Sequence, residues 1–60
     1  MSAPTLDDLA ALVAGSCEAR LSGLLSRKDH AVVIADVDVK LTENGWTWDE
    51  VSALVHTMSP

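Results

Sequence analysis

Three kinds of side chain in this sequence could do chemistry: a pair of carboxylates, two histidines and one cysteine. The carboxylates have the spacing Asp36-x-Asp38, which could supply a nucleophile with an acid–base partner, or part of a cation site. His30 and His56 are the candidate general bases. They lie in different predicted segments, and sequence distance alone assembles no Ser/His/Asp or Cys/His arrangement. We therefore interpret His30 as a helix-start residue and His56 as an exposed one.

The segment from Val32 to Asp38 resembles the first motif of the haloacid dehalogenase superfamily. In that family four apolar strand residues lead to a nucleophilic Asp and an acid/base Asp two positions later. The family motif continues with a small residue and then Thr or Val, whereas this chain has Val39 and Lys40. The family fold also needs a parallel sheet with further Lys and Asp residues, which a chain of 60 residues cannot supply. The resemblance therefore does not extend to a function.

The same acidic run does not fit a calcium loop. An EF-hand loop requires Gly at its sixth position and Glu at its twelfth. Counted from Asp36, those positions hold Leu41 and Thr47. We interpret Asp36 and Asp38 as part of a solvated face, and we predict no catalytic, cofactor-binding or metal-binding residue.

Length and charge limit the class of protein. We expect one small domain over residues 1–60, with nine acidic residues against four basic ones and a net charge of −5. A domain this small is marginally stable, and its single cysteine excludes an internal disulfide. These two features favour stabilisation by a partner chain. The charge is unfavourable for binding nucleic acid. With no secretory signal or membrane-spanning run, we expect a soluble, cytoplasmic protein. Because the sequence offers no catalytic arrangement, we expect that it is not an enzyme and uses no cofactor.

The first helix is predicted over about 6–27, with Thr5 as its N-cap. Its apolar residues recur at helical spacing: Leu6, Leu9, Val13, Cys17, Leu21 and Leu24. Small residues recur every four positions and favour close packing against another helix, of this chain or of a second copy: Ala11, Gly15, Ala19 and Gly23. Cys17 is expected to be a buried small hydrophobe, the alternative being a cross-link between two copies.

The middle segment, 30–44, fits two structures. From Val33 to Leu41 every odd position is apolar, which is typical of a strand. A helical stripe is present as well, with Asp29 as a cap: Val33, Ile34, Val37 and Leu41. We favour a helix. The alternative is a strand that pairs with its copy in a second chain, giving an α+β helix–strand–helix dimer.

The junction that follows carries a helix stop and a helix start. Gly45 can adopt the left-handed conformation that closes a helix. Thr47 can cap the next helix, and Glu50 completes a capping box. Trp46 and Val51 have the spacing of a hydrophobic staple. We therefore predict a short corner followed by a third helix over about 48–58.

The predicted fold is all-α: a small three-helix domain with a long N-terminal helix packed on an αα-hairpin. The predicted function is non-enzymatic binding of a protein partner with a basic surface, as an accessory or assembly subunit or an inhibitor of a larger machine. The Ala- and Val-rich composition would suit a phage-like accessory protein. The alternatives are a homodimer and a small helix-turn-helix-like DNA-binding regulator. The candidate protein-binding residues combine aromatic, acidic and apolar side chains: Trp48, Asp49, Glu50, Asp36, Asp38 and Val39.

The capping box gives a direct test. Thr47→Ala removes the hydroxyl that accepts a backbone N–H, so the free energy of unfolding should fall by about 1 kcal/mol. Urea denaturation followed by circular dichroism measures this change. An unchanged free energy of unfolding would remove the capping box from the prediction.

Overall fold

The computed structural model describes residues 4–58, which form three α-helices. These are α1 (Leu6–Leu21), α2 (Arg27–Asn44) and α3 (Trp48–Met58). No strand occurs between residues 4 and 58. The prediction of a small all-α domain is therefore confirmed, and the strand alternative for the middle segment is wrong for this structure.

Helix α1 begins with a complete capping box. The Thr5 hydroxyl accepts a hydrogen bond from the Asp8 backbone N–H at 3.1 Å, and the Asp8 carboxylate accepts one from the Thr5 N–H at 3.1 Å. Asp7 and Asp8 both lie in the first turn, where the helix dipole stabilises negative charge. The expected N-cap at Thr5 is thus confirmed.

Helix α1 ends earlier than the sequence pattern suggested. Gly23 has a φ of 77°, and the N–H of Leu24 bonds to the carbonyl of Ala19 at 2.9 Å. The Gly23 N–H bonds to the Arg20 carbonyl at 3.2 Å, which completes a Schellman motif. A single helix over about 6–27 is therefore wrong, because a left-handed glycine closes the helix after Leu21.

Helix α2 also begins earlier than expected. The Ser26 hydroxyl accepts the N–H of Asp29 at 3.1 Å, so Ser26 is the N-cap, where Asp29 had been expected. Arg27 and Lys28, which the sequence placed at the end of the first helix, form the first turn of α2 instead. Positive charge there meets the positive pole of the helix dipole, which is the less favourable end for it.

The β-branched residues of α2 are helical because tertiary burial outweighs their local preference. Val37 and Leu41 are buried, one helical turn apart. Lys40 Nζ lies 2.6 Å from Asp36 Oδ2, an i,i+4 pair on the surface. Gly45, with φ 74°, closes the helix. The predicted stop at Gly45 is confirmed by a second Schellman motif, in which the Trp46 N–H bonds to the Leu41 carbonyl at 2.9 Å.

The core is small and centres on α1. Its buried apolar members come from all three helices: Leu9, Ala10, Val37, Leu41 and Val51. Helix α1 packs against both α2 and α3, whereas α2 and α3 contact each other less. The expected arrangement had a long first helix on a hairpin of the other two. In the structure α2 is the longest helix, with 18 residues against 16 in α1, because Gly23 shortens α1.

The apolar stripe of α1 continues beyond the core. Leu21 is 91% exposed and Leu24 is 83% exposed. Cys17 is exposed as well, so its expected burial is wrong. These side chains lie at the end of α1, where the chain turns away before another helix covers them.

The stripe of small residues does not form a packed ridge, although one of its members, Ala19, is half-buried. Ala11 and Gly15 are exposed, and a Cβ built on Gly15 meets no atom within 4 Å. Gly23 lies outside the helix. The prediction of close helix packing along this stripe is therefore wrong for the single chain.

Two glycines of the former stripe should respond oppositely to alanine. Gly15→Ala adds helix propensity in open space and should raise the free energy of unfolding by about 0.5–1 kcal/mol. Gly23→Ala forces a Cβ into the left-handed region and should lower it by about 1–2 kcal/mol. Thermal and urea unfolding of the two variants side by side measure both changes. Changes of the same sign would contradict a helix end at Leu21.

Candidate protein-binding site

The start of α3 positions the candidate residues Trp48, Asp49 and Glu50. The Thr47 hydroxyl accepts the Glu50 backbone N–H at 3.3 Å and donates to Glu50 Oε1 at 3.3 Å. The cap is therefore present, although the Glu50 carboxylate bonds to the hydroxyl and not to the Thr47 backbone N–H. This arrangement sets the direction of the first helical turn. It leaves Asp49 and Glu50 exposed and Trp48 half-buried.

Trp48 is joined to α2 by a hydrogen bond. Its indole Nε1 donates to Asp38 Oδ1 at 2.8 Å. The ring also packs against the buried core, as does the ring of Trp46. Trp48 is thus both a core-contacting and a partly exposed residue, and two of the predicted site residues, Trp48 and Asp38, are in direct contact.

An open groove of about 320 Å³ is lined in part by Trp48. It lies between α1 and α3 and has mostly apolar walls with a polar rim on α3: Val13, Trp48, Val51, Ser52, Val55 and His56. Successive residues of an α-helix are about 100° apart, so Asp49 stands on the same side of α3 as Ser52 and His56. The groove therefore has one aromatic wall, and the Asp49 carboxylate lies on the same side of α3.

The remaining predicted site residues lie elsewhere on α2. Asp36 and Asp38 are two residues apart, which separates them by about 200° around the helix axis. Asp36 forms the ion pair with Lys40. Val39 is 54% exposed, on the outer face of the helix. The structure therefore brings Asp38 and Trp48 into contact, places Asp49 on the side of α3 that carries Ser52 and His56, and leaves Asp36 and Val39 on other parts of α2.

The acidic charge lies entirely on the surface. All nine Asp and Glu side chains belong to exposed residues. Within residues 4–58 the Lys40–Asp36 pair is the single ion pair. Most of the negative charge is thus uncompensated by the chain itself, and it is available to a cationic partner.

A second cluster, which sequence reasoning missed, joins α1 to α2. The Ser16 Oγ lies 2.6 Å from His30 Nδ1, and Ser16 is only 7% exposed. The two residues are 14 positions apart, so their pairing depends on the tertiary fold. The one available signal was that Ser16 lies seven positions after Leu9, on the same side of α1.

This cluster borders an open groove of about 350 Å³ lined by Cys17, Arg20, Leu21 and His30. A serine next to a histidine is part of a nucleophilic site only when a third group orients the base. Among the described residues, no carboxylate bonds to His30, and Ser16 is buried. We interpret the pair as a hydrogen bond that satisfies a buried hydroxyl and holds α1 against α2.

No protein-family model matches the chain, and neither the curated proteins nor the solved structures contain a match to it. Within residues 4–58 no three His, Cys, Asp or Glu side chains are grouped so that they could hold a metal ion. The helices there are also too short or too polar to span a membrane.

The Ser16–His30 contact can be measured with a double-mutant cycle. Ser16→Ala should lower the free energy of unfolding by about 1 kcal/mol, because it removes a buried hydrogen bond. In a His30→Ala background the same change should have little effect, giving a coupling of about 1 kcal/mol. Urea unfolding of the four proteins supplies all the values. Additive effects would show that the two side chains do not interact.

Proposed function

We propose that this chain is a non-enzymatic protein that acts by binding another protein with a basic surface. It would serve as an accessory or assembly subunit, or as an inhibitor of a larger machine. The observation that carries this proposal is the surface itself, which combines uncompensated carboxylates with large exposed apolar side chains.

The apolar part of this surface is large for so small a chain. The exposed large apolar residues outnumber the large side chains that are fully buried, and they occur on every helix: Leu12, Leu21, Leu24, Val32, Val39 and Met58. Apolar residues exposed singly are common, whereas a contiguous apolar patch marks a surface that another molecule covers, and we propose that some of these side chains form such a patch. Burial against a partner would supply affinity that the small core cannot.

The charge of the surface favours a foreign partner over a second copy. Two copies would each bring a net charge of −5 to a common interface. Like charges that face each other oppose association, whereas a basic partner is steered toward such a surface. We therefore propose a heteromeric complex, with Asp38, Asp49 and Glu50 contributing to steering and Trp48 to affinity.

The charge also argues against the DNA-binding alternative. The first residues of a recognition helix approach base edges and phosphates. In α3 those positions hold Trp48, Asp49 and Glu50, and the two carboxylates are exposed. They would repel the phosphate backbone. A salt-dependent mobility shift with duplex DNA would restore that alternative.

We further propose a cytoplasmic location. Cys17 is a free, exposed cysteine. The reducing environment of the cytosol keeps such thiols from forming disulfides between molecules. A partner in the same compartment is part of the proposal.

Photo-cross-linking from defined positions tests the proposed function. A photoreactive phenylalanine analogue replaces Asp49 in the full chain, and a matched control carries it at Glu18 on the outer face of α1. We expect a protein from the source cell to cross-link from position 49 and not from 18. That protein, once purified, should bind the unmodified chain about tenfold more weakly when ionic strength rises from about 0.05 M to about 0.5 M.

Charge reversal distinguishes the effect of a carboxylate at the proposed contact from the effect of the net charge of the chain. Asp49→Lys and Glu18→Lys change the net charge equally. Only Asp49→Lys should weaken the purified complex by more than about threefold, because only it faces the partner. Equal weakening by both variants, affinity insensitive to salt, or cross-linking from position 18 alone would contradict the proposal.

A further inference from the structure

We infer that the groove between α1 and α3 receives an arginine side chain from a basic segment of the partner. The guanidinium would stack on the Trp48 indole and pair with Asp38, and its aliphatic stem would lie along the apolar groove. This inference rests on the proposed function, because it names the place and the chemistry of the contact.

The Trp48 ring is held in position before any partner arrives. Its Nε1 bond to Asp38 Oδ1, at 2.8 Å, fixes the ring relative to α2. Its packing against the buried core restricts it further. A pre-oriented aromatic ring is a good recognition surface, since little conformational freedom remains to be lost on binding.

The Asp38 carboxylate supplies charge at the edge of the same ring: it lies on α2, outside the residues that line the groove, and contacts the indole N–H. Its Oδ1 accepts the indole N–H, and no hydrogen bond or ion pair of residues 4–58 involves its Oδ2. That oxygen is available to a cation next to the indole. A cation over the face of an indole is attracted by the ring quadrupole, and a nearby carboxylate adds to this attraction.

The shape of the site favours arginine. The groove is open, and its volume of about 320 Å³ is at the lower end of the range for small-molecule pockets and sufficient for a protruding side chain. Its walls are mainly apolar, so the methylene stem of a long cationic residue gains contact there. A planar guanidinium stacks on an aromatic ring and is more weakly hydrated than an ammonium group, which makes arginine a better fit than lysine.

A peptide titration followed by NMR tests this inference. The probe is an N-acetylated, C-amidated tetrapeptide of alternating arginine and leucine, added to the full chain labelled with ¹⁵N. The chain has only two tryptophans, so Trp46 provides an internal reference for the indole N–H signal of Trp48. We expect the Trp48 indole signal and the amides of Ser52 and His56 to shift, with a dissociation constant on the order of 1 mM for such a short segment.

Three controls define the result. The same peptide with citrulline at both arginine positions keeps the shape without the charge and should leave the Trp48 signal in place. Asp38→Asn keeps an oxygen for the indole bond while removing the charge, and it should weaken binding about fivefold, the upper range for an exposed ion pair. Glu18→Gln removes one charge far from the groove and should change affinity by less than about 1.5-fold. The NMR spectrum of each variant reports whether it is folded.

Three results would overturn the inference: equal shifts with the citrulline peptide, equal weakening by Asp38→Asn and Glu18→Gln, or no movement of the Trp48 signal at about 10 mM peptide. Success of the cross-linking experiment together with any of these results would leave the proposed function standing and refute the arginine site. Failure of both experiments would refute the two proposals together.

Discussion

The burial of five apolar side chains, Leu9, Ala10, Val37, Leu41 and Val51, is the constraint on which the rest of this structure depends. So small a core gives limited hydrophobic stabilisation, because a chain of this length buries only about 60% of the surface that its unfolded form exposes. Local interactions at the helix ends must therefore contribute a larger share of the free energy of folding. Every helix begins at a side-chain cap, and α1 and α2 both end at a left-handed glycine, so several backbone groups at these helix ends are hydrogen-bonded without further core.

The same constraint shapes the surface. Because one turn of α1 extends beyond the residues that could cover it, Leu21 is exposed together with Cys17. Because Trp48 finds only a partial cover in the core, its indole lies half in a groove and uses Asp38 as a hydrogen-bond acceptor. The exposed apolar groups thus follow from the small core, whereas the acidic side chains are exposed because an unpaired charge is costly to bury. Their use in binding is the proposal built on that arrangement.

The features predicted correctly from the sequence are those that local signals determine. The Gly45 corner, the Thr5 and Thr47 caps and the helical stripe of α2 all act over three or four residues, and each is present in the structure. The Gly23 corner was missed because Leu21 and Leu24 continue the apolar periodicity across it. The Trp48–Asp38 and Ser16–His30 bonds join residues 10 and 14 positions apart. Such contacts depend on how whole helices pack together, and the hydrophobic periodicity of a sequence carries no information about that packing.

Sedimentation equilibrium with circular dichroism on the same samples tests the central claim, that this small core with its capped helices suffices for a folded single chain. The account predicts a monomer of 6.4 kDa with unchanged helicity over about a hundredfold range of concentration. That result would leave the acidic, partly apolar surface available to a foreign partner. Helicity that rises with concentration as a dimer forms would contradict the account, because the copies would then be completing each other's core.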